Sequence, residues 1–150
     1  VEIAWRDASF LEMGRCATVA ESADSGKKSA GAVLVVDDEP LIRWSLRKGL
    51  TNRGYMVAEA ETGAEALSLL RNRADGFQAV VLDYRLPDRR DLSLLREVRA
   101  LSPATAVWMM TAFGDDDMKT EALKLGAQAV VDKPFQVARF VQLIESALHP

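Results

Sequence analysis

From Ala32 onward, short apolar runs alternate with stretches whose apolar positions recur every three or four residues. Residues 32–36, 56–59, 79–82, 106–110 and 129–131 have the length and the apolar or β-branched content of strands. Between and after them the period changes to that of helices, predicted at 41–53, 63–73, 91–101, 116–125 and 137–148. Ile42, Leu46 and Leu50 lie four apart, and Val137, Val141, Ile144 and Leu148 make an i, i+4, i+7, i+11 face. Gly54, Gly76 and Gly126 stand where helices should stop. Strands apolar throughout, separated by one-sided helices, predict an α/β fold: a doubly wound (βα)5 parallel sheet covered on both faces, with right-handed crossovers.

Before residue 31 the pattern weakens. Ile3, Phe10 and Ala17 fall seven apart with Ala4 and Leu11 beside them, a short helical stripe too weak to stand alone. Residues 21–31 are small, polar and glycine-containing, which reads as a linker. The expectation is a leader and linker over 1–30, partly helical and otherwise frayed, ahead of one folded domain over 31–150. Cys16 lies in the leader and is given no role.

A chain of 150 residues with 49% hydrophobic and 27% charged side chains suits one soluble domain. Its net charge of −3 lacks the electrostatic footprint of a nucleic-acid binder. A single cysteine excludes an internal disulfide framework, and the single histidine, His149, leaves almost no material for histidine catalysis or zinc. No run approaches the ~18 apolar residues of a membrane span, and the start has neither the basic region nor the apolar run of a signal peptide. A cytoplasmic chain is expected. Its opening valine suggests a fragment, a processed chain or a literally translated start codon.

The chemistry must then come from carboxylates, hydroxyls and lysines. Ligands of open parallel sheets bind outside the carboxyl ends of the strands. Asp37 and Asp38 follow the first predicted strand, Asp83 the third, Thr111 the fourth, and Lys133 with Pro134 the fifth. The second supplies none, as an edge strand would. Taken singly, an aspartate there is usually a helix cap, a threonine a turn residue and a lysine solvated. Gathered on one rim, three carboxylates repel one another unless cations neutralise them. Oxygen ligands alone point to Mg²⁺. A cation, a hydroxyl and an ammonium on one rim can surround a phosphoryl group in transfer.

Val35-Val36-Asp37-Asp38-Glu39-Pro40, Asp83-Tyr84-Arg85-Leu86-Pro87-Asp88, Met110-Thr111-Ala112-Phe113-Gly114 and Lys133-Pro134-Phe135 together resemble the receiver domain of two-component response regulators, in order and in register across 32–148. The resemblance implies the flavodoxin-like strand order 2-1-3-4-5. It implies Asp83 as phosphoacceptor for a sensor histidine kinase, with Asp38 binding Mg²⁺ directly, Asp37 largely through water, and the Arg85 backbone carbonyl as a further ligand. Thr111 and Lys133 would contact phosphoryl oxygens, and the Lys133–Pro134 bond would be cis. A homodimer and a transcriptional output are further implications. The domain would be no enzyme beyond its own phosphotransfer and dephosphorylation. The segments Pro40-Leu41-Ile42-Arg43-Trp44-Ser45-Leu46 and Glu61-Thr62-Gly63-Ala64-Glu65-Ala66-Leu67 resemble receivers of σ54-type activators.

Two positions depart from that family. Val130 replaces a common aromatic, which predicts a blunted response to Thr111. Arg89-Arg90-Asp91 replaces a glycine-containing turn, with Asp91 expected to cap the third helix. Asp115, Asp116 and Asp117 are expected to open the fourth helix rather than bind a cation. Trp44 and Trp108 are expected to pack. A dehalogenase-type phosphatase needs an aspartate where Arg85 stands, and a flavin-phosphate loop would be repelled by Asp37-Asp38-Glu39. The remaining alternative is a receiver-like module that interacts without phosphorylation.

Overall fold

The computed structural model describes residues 3–5 and 30–150. Its elements are β1 (Ile3–Trp5), β2 (Gly31–Val36), α1 (Pro40–Asn52), β3 (Tyr55–Ala60), α2 (Gly63–Asn72), β4 (Ala79–Asp83), α3 (Ser93–Leu101), β5 (Ala106–Thr111), α4 (Asp116–Lys124), β6 (Ala129–Asp132) and α5 (Val137–Leu148). The strands form one sheet in the order β1-β6-β5-β4-β2-β3. Strands β2 to β6 are parallel and are the five predicted strands in the expected 2-1-3-4-5 arrangement. The strand without special side chains, β3, is at one edge.

Alternation along the parallel strands divides the core into two layers. Leu34, Val36, Val80, Leu82, Val107, Met109 and Val130 face α2, α3 and α4, whose Leu67, Leu94, Leu95, Val98 and Ala122 cover them. Val33, Val35, Val81, Trp108, Met110 and Val131 face α1 and α5, covered by Leu46, Leu50, Phe140, Val141 and Ile144. Trp108 packs as expected, but Trp44 is half exposed, with the Lys48 ammonium 5.4 Å from its ring.

Several boundaries differ from the sequence reading. Strands β4, β5 and β6 each run one residue further, taking in Asp83, Thr111 and Asp132. Pairing of Asp83 with Met110 and of Thr111 with Asp132 continues the ladder where apolar side chains stop. Helix α3 begins at Ser93, so Asp91 is not its N-cap; its Oδ1 instead accepts the Ser93 N–H at 2.9 Å. Gly76 does not end a helix directly: it closes a turn three residues on, its N–H donating to the Arg73 carbonyl at φ 73°. Ile3 and Ala4, the start of the expected helical stripe, lie in β1, antiparallel to β6, with Ala4 opposite Val130. Phe10, Leu11, Cys16 and Ala17 fall outside the described residues. Among the described residues no helix is long and apolar enough to cross a membrane.

Candidate functional site

The carboxyl ends of β2, β4, β5 and β6 meet on one rim. The backbone N–H of Asp37 still donates to the Ala60 carbonyl of β3, which carries Asp37 straight off the strand and leaves it fully buried. Both its carboxylate oxygens are engaged: Oδ1 accepts the Glu39 N–H at 2.9 Å and Oδ2 the Lys133 ammonium at 2.9 Å. Asp38, next in sequence, is exposed. Asp83 ends β4 and is 7% exposed, with Oδ2 3.4 Å from Lys133 Nζ. Carboxylate oxygens of Asp37, Asp38 and Asp83 all lie within 4.8 Å of one another.

Thr111 and Lys133 are held by main chain. Lys133 N–H donates to the Thr111 carbonyl at 2.8 Å, and the following Lys133–Pro134 bond is cis. Thr111 is buried, its Oγ1 accepting the Phe113 N–H at 3.3 Å. The chain folds back tightly here: a Cβ on Gly114 would stand 2.6 Å from Thr111 Cγ2. Arg85 presents its side chain to solvent in the loop after β4, where a turn is closed by reciprocal backbone bonds between Leu86 and Arg89. Asp115 caps α4 by accepting the Met118 N–H, and Asp116 and Asp117 occupy its first turn, as anticipated.

Electrostatics single out one carboxyl. Burial and the neighbouring Asp37 push Asp83 up to about 7, against the pull of Lys133 and the Arg85 N–H. Burial also opposes charge on Lys133, but bonds to Asp37 and Glu39 and the nearby Asp83 outweigh it and raise its affinity for the proton. One ammonium faces three clustered carboxylates and Glu39, so negative charge is in excess. An all-oxygen donor set of that charge fits a hard divalent cation such as Mg²⁺.

Three residues at or around this cluster went unassigned in the sequence reading. Glu39 holds Lys133 at 3.1 Å. Arg43 donates to the Asp37 carbonyl at 2.7 Å. Asp88 accepts two backbone N–H groups at the start of α2. All three stand inside or beside the quoted motifs, but charged residues on loops and on the first turn of a helix carry no periodic sign of what they face. An apolar groove of about 160 Å³, lined by Leu41, Ile42, Ser45, Pro134, Phe135 and Val137, lies next to Lys133 in sequence and beside α1.

The family model for the response regulator receiver domain matches residues 33–145. The chain is 35% identical over 118 residues to the DNA-binding transcriptional regulator NtrC of Escherichia coli K12, covering 79% of this chain and 25% of that protein. It thus spans about a quarter of the length of that relative. It is 29% identical over 121 residues to the chemotaxis protein CheY of Bacillus subtilis, of which it covers 99%. A CheY-like receiver domain structure from Methanospirillum hungatei superposes with a TM-score of 0.73 at 29% identity, over 78% of this chain and 92% of that one.

Proposed function

This chain belongs to the response regulator receiver domains, and on that footing we propose that Asp83 accepts a phosphoryl group from a phosphohistidine of a sensor histidine kinase. The observation that carries this reading is the almost buried Asp83, 3.4 Å from Lys133 and clustered with Asp37 and Asp38 at one sheet rim.

An Asp83 carboxylate oxygen forms the new P–O bond while the P–N bond to histidine breaks. The histidine nitrogen keeps the electron pair and takes up a proton. Lys133, already paired with Asp37 and Asp83, meets the negative charge that arrives with the phosphoryl oxygens. The Thr111 hydroxyl, whose oxygen accepts the Phe113 N–H at 3.3 Å, donates its own proton to a phosphoryl oxygen. Asp37, Asp38, Asp83 and the Arg85 carbonyl would hold Mg²⁺, which when bound supplies positive charge beside those oxygens. Hydrolysis of the acyl phosphate resets the domain. The groove between α1 and the start of α5 accommodates apolar side chains of the kinase next to the cluster.

The output proposed is transcription control by a cytoplasmic σ54-type activator, with self-association as the step between. A small phosphodonor tests the chemistry. Incubation with acetyl phosphate should add one phosphoryl group to the intact mass only when Mg²⁺ is present, and not in Asp83→Asn. Phosphate that persists on the Asn variant rejects Asp83 as acceptor. No mass gain under any condition leaves the phosphorylation-independent interaction module.

A further inference from the structure

The carboxylates of the candidate cation site come from the loop after β2 and from the end of β4, where the next loop begins. Both loops are tied by side chains to the same third element, the start of α2. On one side is Arg43, whose side chain is only 12% exposed. Its three nitrogens have three destinations: the Asp37 carbonyl at 2.7 Å, Glu59 at 3.2 Å and Glu61 at 3.2 Å. Glu61 in turn donates its N–H to the Glu65 carboxylate at 2.7 Å, inside the first turn of α2.

On the other side is Asp88. Its two oxygens accept the Gly63 N–H at 2.8 Å and the Ala64 N–H at 3.0 Å. These are the first two donors that α2 cannot satisfy internally. Thr62, the N-cap, takes the third from Glu65 at 3.1 Å. Although burial opposes it, the Gly63 and Ala64 N–H groups hold the Asp88 carboxyl below the ordinary carboxylate range. The loop sits so close that a Cβ on Gly63 would stand 2.9 Å from Arg89 Cγ. Arg89 clamps the loop's far side to α3 through Ser93 and Glu97.

The plainer interpretation makes Asp88 a helix cap and Arg43 a surface ion pair. Thr62 already provides the local cap, however, and the Asp88–Gly63 bond reaches across 25 residues to join the loop after β4 to the start of α2. A surface pair also has no need of the Asp37 carbonyl. We propose that Arg43 and Asp88 are positioning residues: through the start of α2 they brace the Asp37-Asp38 loop against the loop that leaves β4 after Asp83, and so set the spacing of the cation ligands. This rests on the reading of those carboxylates as a Mg²⁺ site. Groups that orient metal ligands commonly govern affinity nearly as strongly as the ligands themselves.

The test is calorimetric titration of Mg²⁺ alone into the full chain, with melting measured separately in chelator. Arg43→Gln and Asp88→Ala should each weaken Mg²⁺ binding roughly tenfold. The double variant should lose clearly less than the product, because one broken anchor already frees the brace. Arg43→Lys and Asp88→Asn, each able to keep one of the bonds, should bind between wild type and the harsher variants. These milder changes carry the test if the harsher ones do not fold. Glu145→Gln, which breaks the Arg53 pair on α5, should leave Mg²⁺ affinity unchanged. Variants that melt lower yet bind Mg²⁺ like wild type would reduce both residues to structural caps. A wild type that shows no Mg²⁺ binding at millimolar concentrations removes the cation site itself, and the brace with it.

Discussion

The two flanks of the acidic cluster are built differently. On the β3–α2 flank, polar side chains do the joining: Arg43 to Asp37, Glu59 and Glu61, and Asp88 to Gly63 and Ala64. On the β5–α4–β6 flank the joints are mainly apolar, with Val130, Met109, Ala122 and Ala127 in one buried layer. A Lys119–Asp132 pair at 2.9 Å supplements that packing. Phe113, between β5 and α4, is 82% exposed, and its N–H makes only a 3.3 Å bond to Thr111. Directional bonds fix positions, whereas a long bond beside an exposed ring is easily exchanged. If Asp37 and Asp38 are cation ligands as proposed, the braced flank fixes them, and the segment around Phe113 on the other flank is the part left to respond.

The strongest test of this contrast removes the acceptor. Asp83→Asn should abolish phosphorylation, so that mass spectrometry finds no phosphorylated species, while circular dichroism stays that of a folded α/β domain. Next in size is Val130→Ala. Val130 is fully buried, and the cavity left by two methyl groups should cost about 2 kcal/mol, seen as a lower denaturation midpoint in urea. Phosphorylation should survive it, since the change leaves the backbone pairing of Asp83 with Met110 and the Lys133 contacts to Asp37 and Asp83 in place. If phosphorylation fails while the fold holds, the division of labour is wrong.

A pH series gives a smaller effect with a definite sign. Asp83 is raised from 3.8 to about 7, so its proton favours the folded state without metal. That contribution is complete below the ordinary carboxylate range and is lost as pH rises through about 7. In chelator, Asp83→Asn should thus melt roughly 3–6 °C above wild type at pH 8, with the gap closing toward pH 4. A gap that widens on acidification contradicts the assignment.

The smallest signal concerns Thr111. With stiff Val130 in place of a ring, little side-chain volume is available to relocate. Thr111→Ala should shorten the phosphoryl lifetime but change amide shifts over α4 and β6 only modestly, whether or not a phosphoryl mimic is bound. Large shifts there that vanish in Thr111→Ala would restore a threonine-driven switch and blur the contrast between the flanks.

Much of this was legible from residue order. Period alone separates strands from helices in a doubly wound sheet, because each element buries one side or both sides of itself. The strand-end rule alone gathers Asp37, Asp38, Asp83, Thr111 and Lys133 on one rim, and the structure places them there. Asp91 was misplaced as a cap because two-residue side-chain turns and true caps use the same residue type. A three-residue strand such as β1 is too short to display a period, so its pairing with β6 had no signature.

By itself, then, the sequence determined the alternation of elements, the two-layered core and the identity of the groups at the strand ends, since these follow from local period and from topology. Tertiary structure decided which polar groups meet: Glu39 on Lys133, Arg43 on the Asp37 carbonyl, Asp88 on the start of α2. The reason is physical. Burial of apolar side chains depends on their spacing along one element, which the chain states directly, whereas a hydrogen bond depends on ångström-scale distances between elements far apart in sequence. Those distances exist only once both core layers have closed.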